Sequence, residues 1–209
     1  LMEVYTMKTI MLSPQSDKNA VKTAADLILQ GEVVGMPTET VYGLAANALN
    51  GEAVAKIFRA KGRPQDNPLI VHIADFDQIY SLCPAVPPQA KALAEAFWPG
   101  PLTMIVPKGE CIPHEVSCGL DTVGIRLPSH PLARDLIRTA GVPLAAPSAN
   151  TSGRPSTTTA EHVLRDMDGK IAAILDGGPC GVGVESTVDT LALDKPRLLR
   201  PGGITLEQL

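Results

Sequence analysis

The sequence predicts an α/β fold: a single domain with a twisted, mixed parallel and antiparallel sheet flanked by helices. Three observations predict it. Short apolar runs alternate with amphipathic helical segments along the 209 residues. The connections include both tight turns and helices, so the strands do not all run parallel. No polar linker and no internal repeat divides the chain, which reads as one domain over residues 1–209.

Each element has a local reason. Thr9–Leu12 reads as a first strand. Ser16 or Asp17 can cap a helix in which Ala20, Val21, Ala24, Leu27 and Ile28 share a face, and Gly31 ends it. Glu32–Met36 is strand-like and runs into the loop Pro37–Thr40. Ala53–Ala60 is a helix with Val54, Ile57 and Phe58 inward, closed by Gly62, and Leu69–Ile73 is an apolar strand. Asp75–Leu82 and Pro88–Phe97 read as helices, the second started by its proline. Trp98-Pro-Gly-Pro101 breaks the chain before strands at Leu102–Val106 and Thr122–Leu127. His130–Ala140 is a helix ending at Gly141, and Leu144–Ala146 a short buried strand. Thr158 with Glu161 suggests a capping box for a helix to about Met167. Ile171–Leu175, Ser186–Leu191 and Arg197–Leu199 complete the sheet.

Composition narrows the function. Aromatic residues are only 3%, which argues against single-strand nucleic-acid binders that stack bases on exposed rings. A net charge of -4 argues against a broadly basic surface, while leaving room for a local basic pocket. No apolar run approaches the roughly 18 residues of a membrane span. Leu1–Leu12 carries one lysine and no small-residue cleavage site, so it does not read as a secretion signal. The four cysteines form no CxxC pair, which disfavours zinc and fits reduced thiols in the cytoplasm.

Three polar loops follow predicted strands or helices, where sites usually form. In Lys61-Gly-Arg-Pro-Gln-Asp-Asn-Pro68 a point charge stands two residues from a planar fork. The pair suits phosphate or carboxylate, or simply complements a helix C-terminus. Pro147-Ser-Ala-Asn-Thr-Ser-Gly-Arg154 places short hydroxyl and amide groups after a buried strand, as a nucleotide contact or as an Asx or Ser/Thr turn. A serine nucleophile is disfavoured, because no GxSxG elbow is present. Gly177, Gly178, Gly181 and Gly183 precede Val184-Glu-Ser-Thr187, yet neither a P-loop nor a GxGxxG fingerprint occurs. Arg126 ends an apolar strand and needs an anion there. His72 lies inside a strand, where a hydrogen-bonded core histidine is the plainer reading. Lys61, Arg63, Arg126 and Arg200 together suggest an anionic substrate, and Pro37, Pro64, Pro68, Pro147 and Pro201 stiffen the same loops.

Seven stretches in order resemble the YrdC-like family, the threonylcarbamoyl-AMP synthases. They are Met36-Pro-Thr-Glu-Thr-Val-Tyr-Gly-Leu44, Lys61–Ile73, Phe97-Trp-Pro-Gly-Pro-Leu-Thr103, Gly124–Pro131, Ala146-Pro-Ser-Ala-Asn-Thr-Ser-Gly153, Val184-Glu-Ser-Thr-Val188 and Leu199-Arg-Pro-Gly-Gly203, spanning about residues 9–205. Each is weak alone; the ordered set is specific. The resemblance implies a large concave basic cavity. It also implies the reaction of L-threonine, bicarbonate and ATP to threonylcarbamoyl-AMP and pyrophosphate. The product would pass to a tRNA threonylcarbamoyl-transferase complex for the adenosine beside the anticodon, with direct tRNA contact left open.

By the same resemblance, Lys61 and Arg63 are the catalytic pair, holding polyphosphate and carbamate oxygens. Ser148, Asn150 and Arg200 join them at the nucleotide. Thr38, Tyr42, His72, Arg126 and Ser186 shape the threonine end, with Arg126 on the carboxylate. Mg2+ is expected to arrive with ATP, no protein metal cage being apparent. Longer family members carry a second domain, so the chain reads either as a single-domain enzyme or as the N-terminal part of such a protein. Two competing readings are a non-catalytic module for tRNA or double-stranded RNA, and a carbamoyl-transfer domain of hydrogenase maturation. The acidic composition disfavours the first and the lack of CxxC the second.

Overall fold

The computed structural model describes residues 7–209; residues 1–6, part of the stretch read above for a secretion signal, lie outside the described residues. The chain runs through β1 (Ile10–Leu12), α1 (Ala20–Leu29), β2 (Val34–Met36), β3 (Gly43–Asn47), α2 (Gly51–Lys61), β4 (Ile70–His72), α3 (Ile79–Leu82), α4 (Pro88–Phe97) and β5 (Leu102–Pro107). It continues through α5 (His114–Ser117), β6 (Thr122–Arg126), α6 (Pro131–Ala140), β7 (Leu144–Ala145), α7 (Ala160–Met167), β8 (Ala173–Leu175), β9 (Thr187–Thr190) and β10 (Arg197–Arg200).

The strands form one mixed sheet in the order β1-β8-β2-β3-β7-β4-β6-β5-β9-β10. β1, β8 and β2 run parallel, as do β4 with β6 and β5 with β9; the other neighbours are antiparallel. Helices cover both faces. On one, α1 and α6 bury Ala20, Ala24, Ile28, Ala133, Leu136 and Ile137. On the other, α2, α4 and α7 close over Leu44, Val71, Met104 and Ile125. With so few aromatics, close packing depends on alanine and branched side chains that let helices approach the sheet.

Several local readings need correction. α1 begins at Ala20 with Asn19 at its cap, and Asp17 instead accepts from the Asn19 N–H. Thr159, not Thr158, caps α7, accepting from the His162 N–H at 3.2 Å, so the Thr158–Glu161 box is not formed. Asp75–Leu82 is a 3-10 turn, Phe76–Gln78, running directly into the single turn α3, and the Gln78 side chain caps its start by accepting from the Ala74 and Asp75 N–H groups. β3 and α5 have no clear signal in the sequence. β3 is Gly-Leu-Ala-Ala-Asn, almost wholly buried and without β-branched or aromatic residues, so it carries neither alternation nor β-propensity. α5 is a single turn, too short for periodicity.

Candidate active site

A cleft opens where loops leave β2, β6, β7 and α2 and where the chain enters β9. One cavity of about 230 Å3 is lined by Thr38, Tyr42, Arg63, His72, Arg126, Ser148, Glu185, Ser186 and Arg200. An adjoining one of about 280 Å3 is lined by Lys61, Arg63, Asn67, Ser148, Asn150 and Ser152. Arg63, Asn67 and Ser148 line both, so all ten predicted site residues meet around one continuous depression.

Lys61 reaches the cleft because it occupies an inward position of α2. The buried stripe Val54, Ile57, Phe58 continues to Lys61, where an apolar residue would be expected. Gly62 then adopts φ 62°, a left-handed helix end that lets the Arg63 N–H return to the Phe58 carbonyl at 3.0 Å. This turn throws Arg63 over the Phe58 ring, 5.7 Å from its centroid. Lys61 donates to the carbonyl and hydroxyl of Ser148, and Arg63 to the Asn67 carbonyl.

Neither cation joins any of the ion pairs among the described residues. Burial, then the Arg63 charge, pull the Lys61 amine down to about 8. Arg63 is also pulled down, chiefly by burial. Two adjacent, desolvated cations with only neutral protein partners favour an anion arriving from outside.

The opposite end is different. Arg126 is 4% exposed and forms an ion pair with Glu39. Its other donors reach Thr40 Oγ1 at 3.0 Å and the Gly100 carbonyl at 3.3 Å. Burial, then the nearby Arg200 charge, draw its pKa down to about 9, which leaves the guanidinium charged at neutral pH. Arg200 pairs with Glu185 at 3.0 Å and brackets the Ser186 carbonyl with two N–H groups, at 2.8 and 3.1 Å. Of the four cations singled out in the sequence, two therefore carry their own carboxylates and two do not.

The remaining residues build the walls. Thr38 Oγ1 bonds the Val41 carbonyl and Thr40 Oγ1, turning the loop after β2. Tyr42 donates to the Gly178 carbonyl and accepts from the Gly177 N–H, and burial drives its pKa up to about 12, so its hydroxyl is committed to the glycine-rich loop. His72 is held neutral by burial, with a pKa near 4, its ring nitrogens facing the carbonyls of Ile70 and Leu144. Ser186 Oγ shares a hydrogen with Thr103 Oγ1 and lies 3.2 Å from an Arg200 nitrogen.

Asn150 spends its Nδ2 on the Thr151 and Arg154 carbonyls, while its Oδ1 is buried with no protein partner. It shapes the loop after β7 as much as it presents to the cleft. The Ser152 N–H on the Lys61 carbonyl, 2.9 Å, docks that loop on the end of α2.

Three carboxylates escaped the sequence reading. Asp166 on α7 accepts from the Thr151 N–H and from Arg154, fastening the Ser148–Arg154 loop. Glu185 pairs with Arg200, and Glu39 with Arg126. The quoted motifs contain Glu39 and Glu185, but nothing in their spacing names the partners. Asp166 has no local signal at all. Among the described residues, no group of three or more His, Cys, Asp or Glu is disposed to hold a metal, and no helix is long and apolar enough to cross a membrane.

Gly202 is a further constraint on this wall. A Cβ there would fall 2.3 Å from the Glu185 carbonyl and 2.6 Å from the Thr187 nitrogen, both backbone. Gly202→Ala is expected to push β10 off β9 and loosen Arg200 from Ser186, at about 1–3 kcal/mol of stability. Thermal melting together with hydrogen exchange at Thr187 checks it, and unchanged protection there would contradict it.

Known proteins share this sequence and this fold. Residues 26–202 match the Sua5/YciO/YrdC family model, described as telomere recombination. A threonylcarbamoyl-AMP synthase of Bacillus subtilis (strain 168) is 61% identical over 187 residues, covering 89% of this chain and 54% of that protein. A threonylcarbamoyl-AMP synthase of Pyrococcus abyssi is 54% identical over 189 residues, covering 90% of this chain and 56% of that protein. The crystal structure of P. abyssi Sua5 complexed with L-threonine superposes with a TM-score of 0.92 at 52% identity, covering 96% of this chain and 59% of that one. The chain thus spans a little over half the length of these relatives.

Proposed function

The chain belongs to the Sua5/YciO/YrdC family, and we propose on that premise that it carries the site that makes threonylcarbamoyl-AMP from L-threonine, bicarbonate and ATP. The observation that carries the reading is the division of charge along the cleft. Lys61 and Arg63 have no carboxylate partner, which suits a polyanion such as the triphosphate. Arg126 and Arg200 are already balanced by Glu39 and Glu185, and a locally neutral pair of dipoles suits a zwitterion such as an amino acid. That a P. abyssi relative was crystallised in complex with L-threonine supports an amino acid as one of the substrates.

The chemistry asks little covalent work of the protein. The amine of threonine, having lost its proton, attacks the carbon of bicarbonate and water leaves. A carbamate oxygen then attacks the α-phosphorus and pyrophosphate departs. Both nucleophiles belong to substrates, so the site has to align them and absorb negative charge. Lys61 and Arg63 stand where charge builds on the phosphate and carbamate oxygens. Ser148, with the loop that Asn150 and Asp166 fasten, borders the nucleotide, and Arg200 stands at the boundary with the amino-acid end. Mg2+ comes with the triphosphate as part of the substrate. We place the reaction in the cytoplasm, upstream of a transferase complex that moves the threonylcarbamoyl group to tRNA.

The test is release of pyrophosphate from ATP by the folded chain. It is expected only when L-threonine and bicarbonate are both present. Release independent of threonine, or none at all, would overturn the reading. Salt-sensitive tRNA binding without ATP turnover would favour the RNA-binding alternative instead.

A further inference from the structure

Glu39 does not line the cleft, yet its carboxylate is used at both oxygens. Oε1 pairs with Arg126, and Oε2 accepts from the backbone N–H and the hydroxyl of Ser129, just before α6. An anchor for Ser129 alone would need one oxygen; the other is spent on a residue that faces the cleft.

A guanidinium carries five N–H donors in a fixed plane. In Arg126 three meet protein acceptors: the Gly100 carbonyl, Thr40 Oγ1 and Glu39 Oε1. One N–H on each terminal nitrogen is left over, and Arg126 borders the cavity. Three fixed bonds in one plane leave the guanidinium a single orientation, so the direction of the two free donors is set before any ligand arrives.

The same loop is tied down from outside. The Val182 N–H donates to the Glu39 carbonyl at 2.8 Å and the Gly183 N–H to the Thr40 carbonyl at 3.0 Å. Glu39 therefore sits where the loop after β2, the start of α6 and the glycine-rich segment converge on Arg126.

We propose that Glu39 is a positioning residue that fixes the Arg126 guanidinium so that its two free N–H groups receive the carboxylate of the amino-acid substrate. It sets amino-acid affinity without touching the substrate. This rests on the amino-acid reading of that end of the cleft. Preorganisation of this kind lowers the ordering cost of binding and gives the carboxylate a bidentate partner. It also explains why an arginine already balanced by a carboxylate can still serve as an anion contact: its charge is offset but its donors are not exhausted.

The experiment measures KM for L-threonine and for ATP, by pyrophosphate release, in the wild type, Glu39→Gln, Glu39→Asp and Ser129→Ala, with melting temperatures alongside. Glu39→Gln is expected to raise the threonine KM by about tenfold or more and to leave the ATP KM within about twofold. Glu39→Asp should recover part of the loss. Ser129→Ala, which frees one anchor of the carboxylate, should move the threonine KM the same way by a smaller factor. That variant keeps the test decisive if Glu39→Gln does not fold.

A threonine KM unchanged in all three variants, or an ATP KM rising in step with it, would overturn the positioning role. A wild type that releases no pyrophosphate with threonine overturns the functional reading itself, which is a separate result.

Discussion

Lys61→Met is expected to reduce threonine-dependent pyrophosphate release by roughly a hundred- to a thousandfold, the usual cost of removing one donor from a site that stabilises developing negative charge. The fold should not suffer. Lys61 is 3% exposed, its amine has no ion-pair partner, and burial already pulls its pKa down to about 8. Replacing a desolvated, unpaired cation by an apolar side chain of similar length removes a cost. The variant should melt at the same temperature as the wild type or higher, a pairing of lost activity with retained stability that an ordinary core residue would not give.

The same lysine fixes a pH signature. Its folded pKa of about 8 lies below the ordinary 10.5, so above about pH 8 the folded chain sheds a proton that the unfolded chain keeps. Stability relative to Lys61→Met should therefore rise between about pH 8 and 10.5 as the buried charge is relieved. ATP affinity should fall over the same range, because the neutral amine no longer attracts phosphate. Parallel denaturation and ATP titrations in the two proteins read both slopes. A fall in ATP affinity of the same size in Lys61→Met would remove Lys61 from the nucleotide end.

What was readable in advance follows from how far each interaction reaches along the chain. Lys61-Gly-Arg63 and Ser148-Ala-Asn150 were legible because a helix stop, a buried strand and short polar groups are consecutive, and local geometry places them at element ends. Tyr42 and His72 were visible as residues, but their commitments were not, since the Tyr42 hydroxyl ends on Gly177 and Gly178, more than 130 positions away. The charge division was hidden for the same reason. Glu39 and Arg126 are 87 positions apart, and only the mixed sheet, with β2 and β6 separated by β3, β7 and β4, brings their loops together. Counting cations gave four equivalents where folding leaves two free. β3 went unseen because an alanine strand buried on both sides has no alternation to read.

Arg126→Met is the complementary substitution. Here the fold should suffer, because Glu39 would keep only its Ser129 contacts and become a largely buried carboxylate without a cation. Breaking one side of a buried pair costs about 3–5 kcal/mol, equivalent to roughly 10 °C in melting temperature for a chain of this size. Threonine affinity should be lost as well.

The two effects separate in the double variant Arg126→Met/Glu39→Gln, which removes both charges. Stability should return most of the way towards wild type, since no unpaired ion remains, whereas threonine affinity should stay as low as in Arg126→Met alone. Calorimetric titration of L-threonine and thermal melting of the four proteins complete the cycle. If stability failed to recover, Arg126 would be holding the fold through Gly100 and Thr40 more than through Glu39. If threonine binding recovered with it, the carboxylate contact would lie elsewhere in the cleft, with Arg200 the remaining cation at that end.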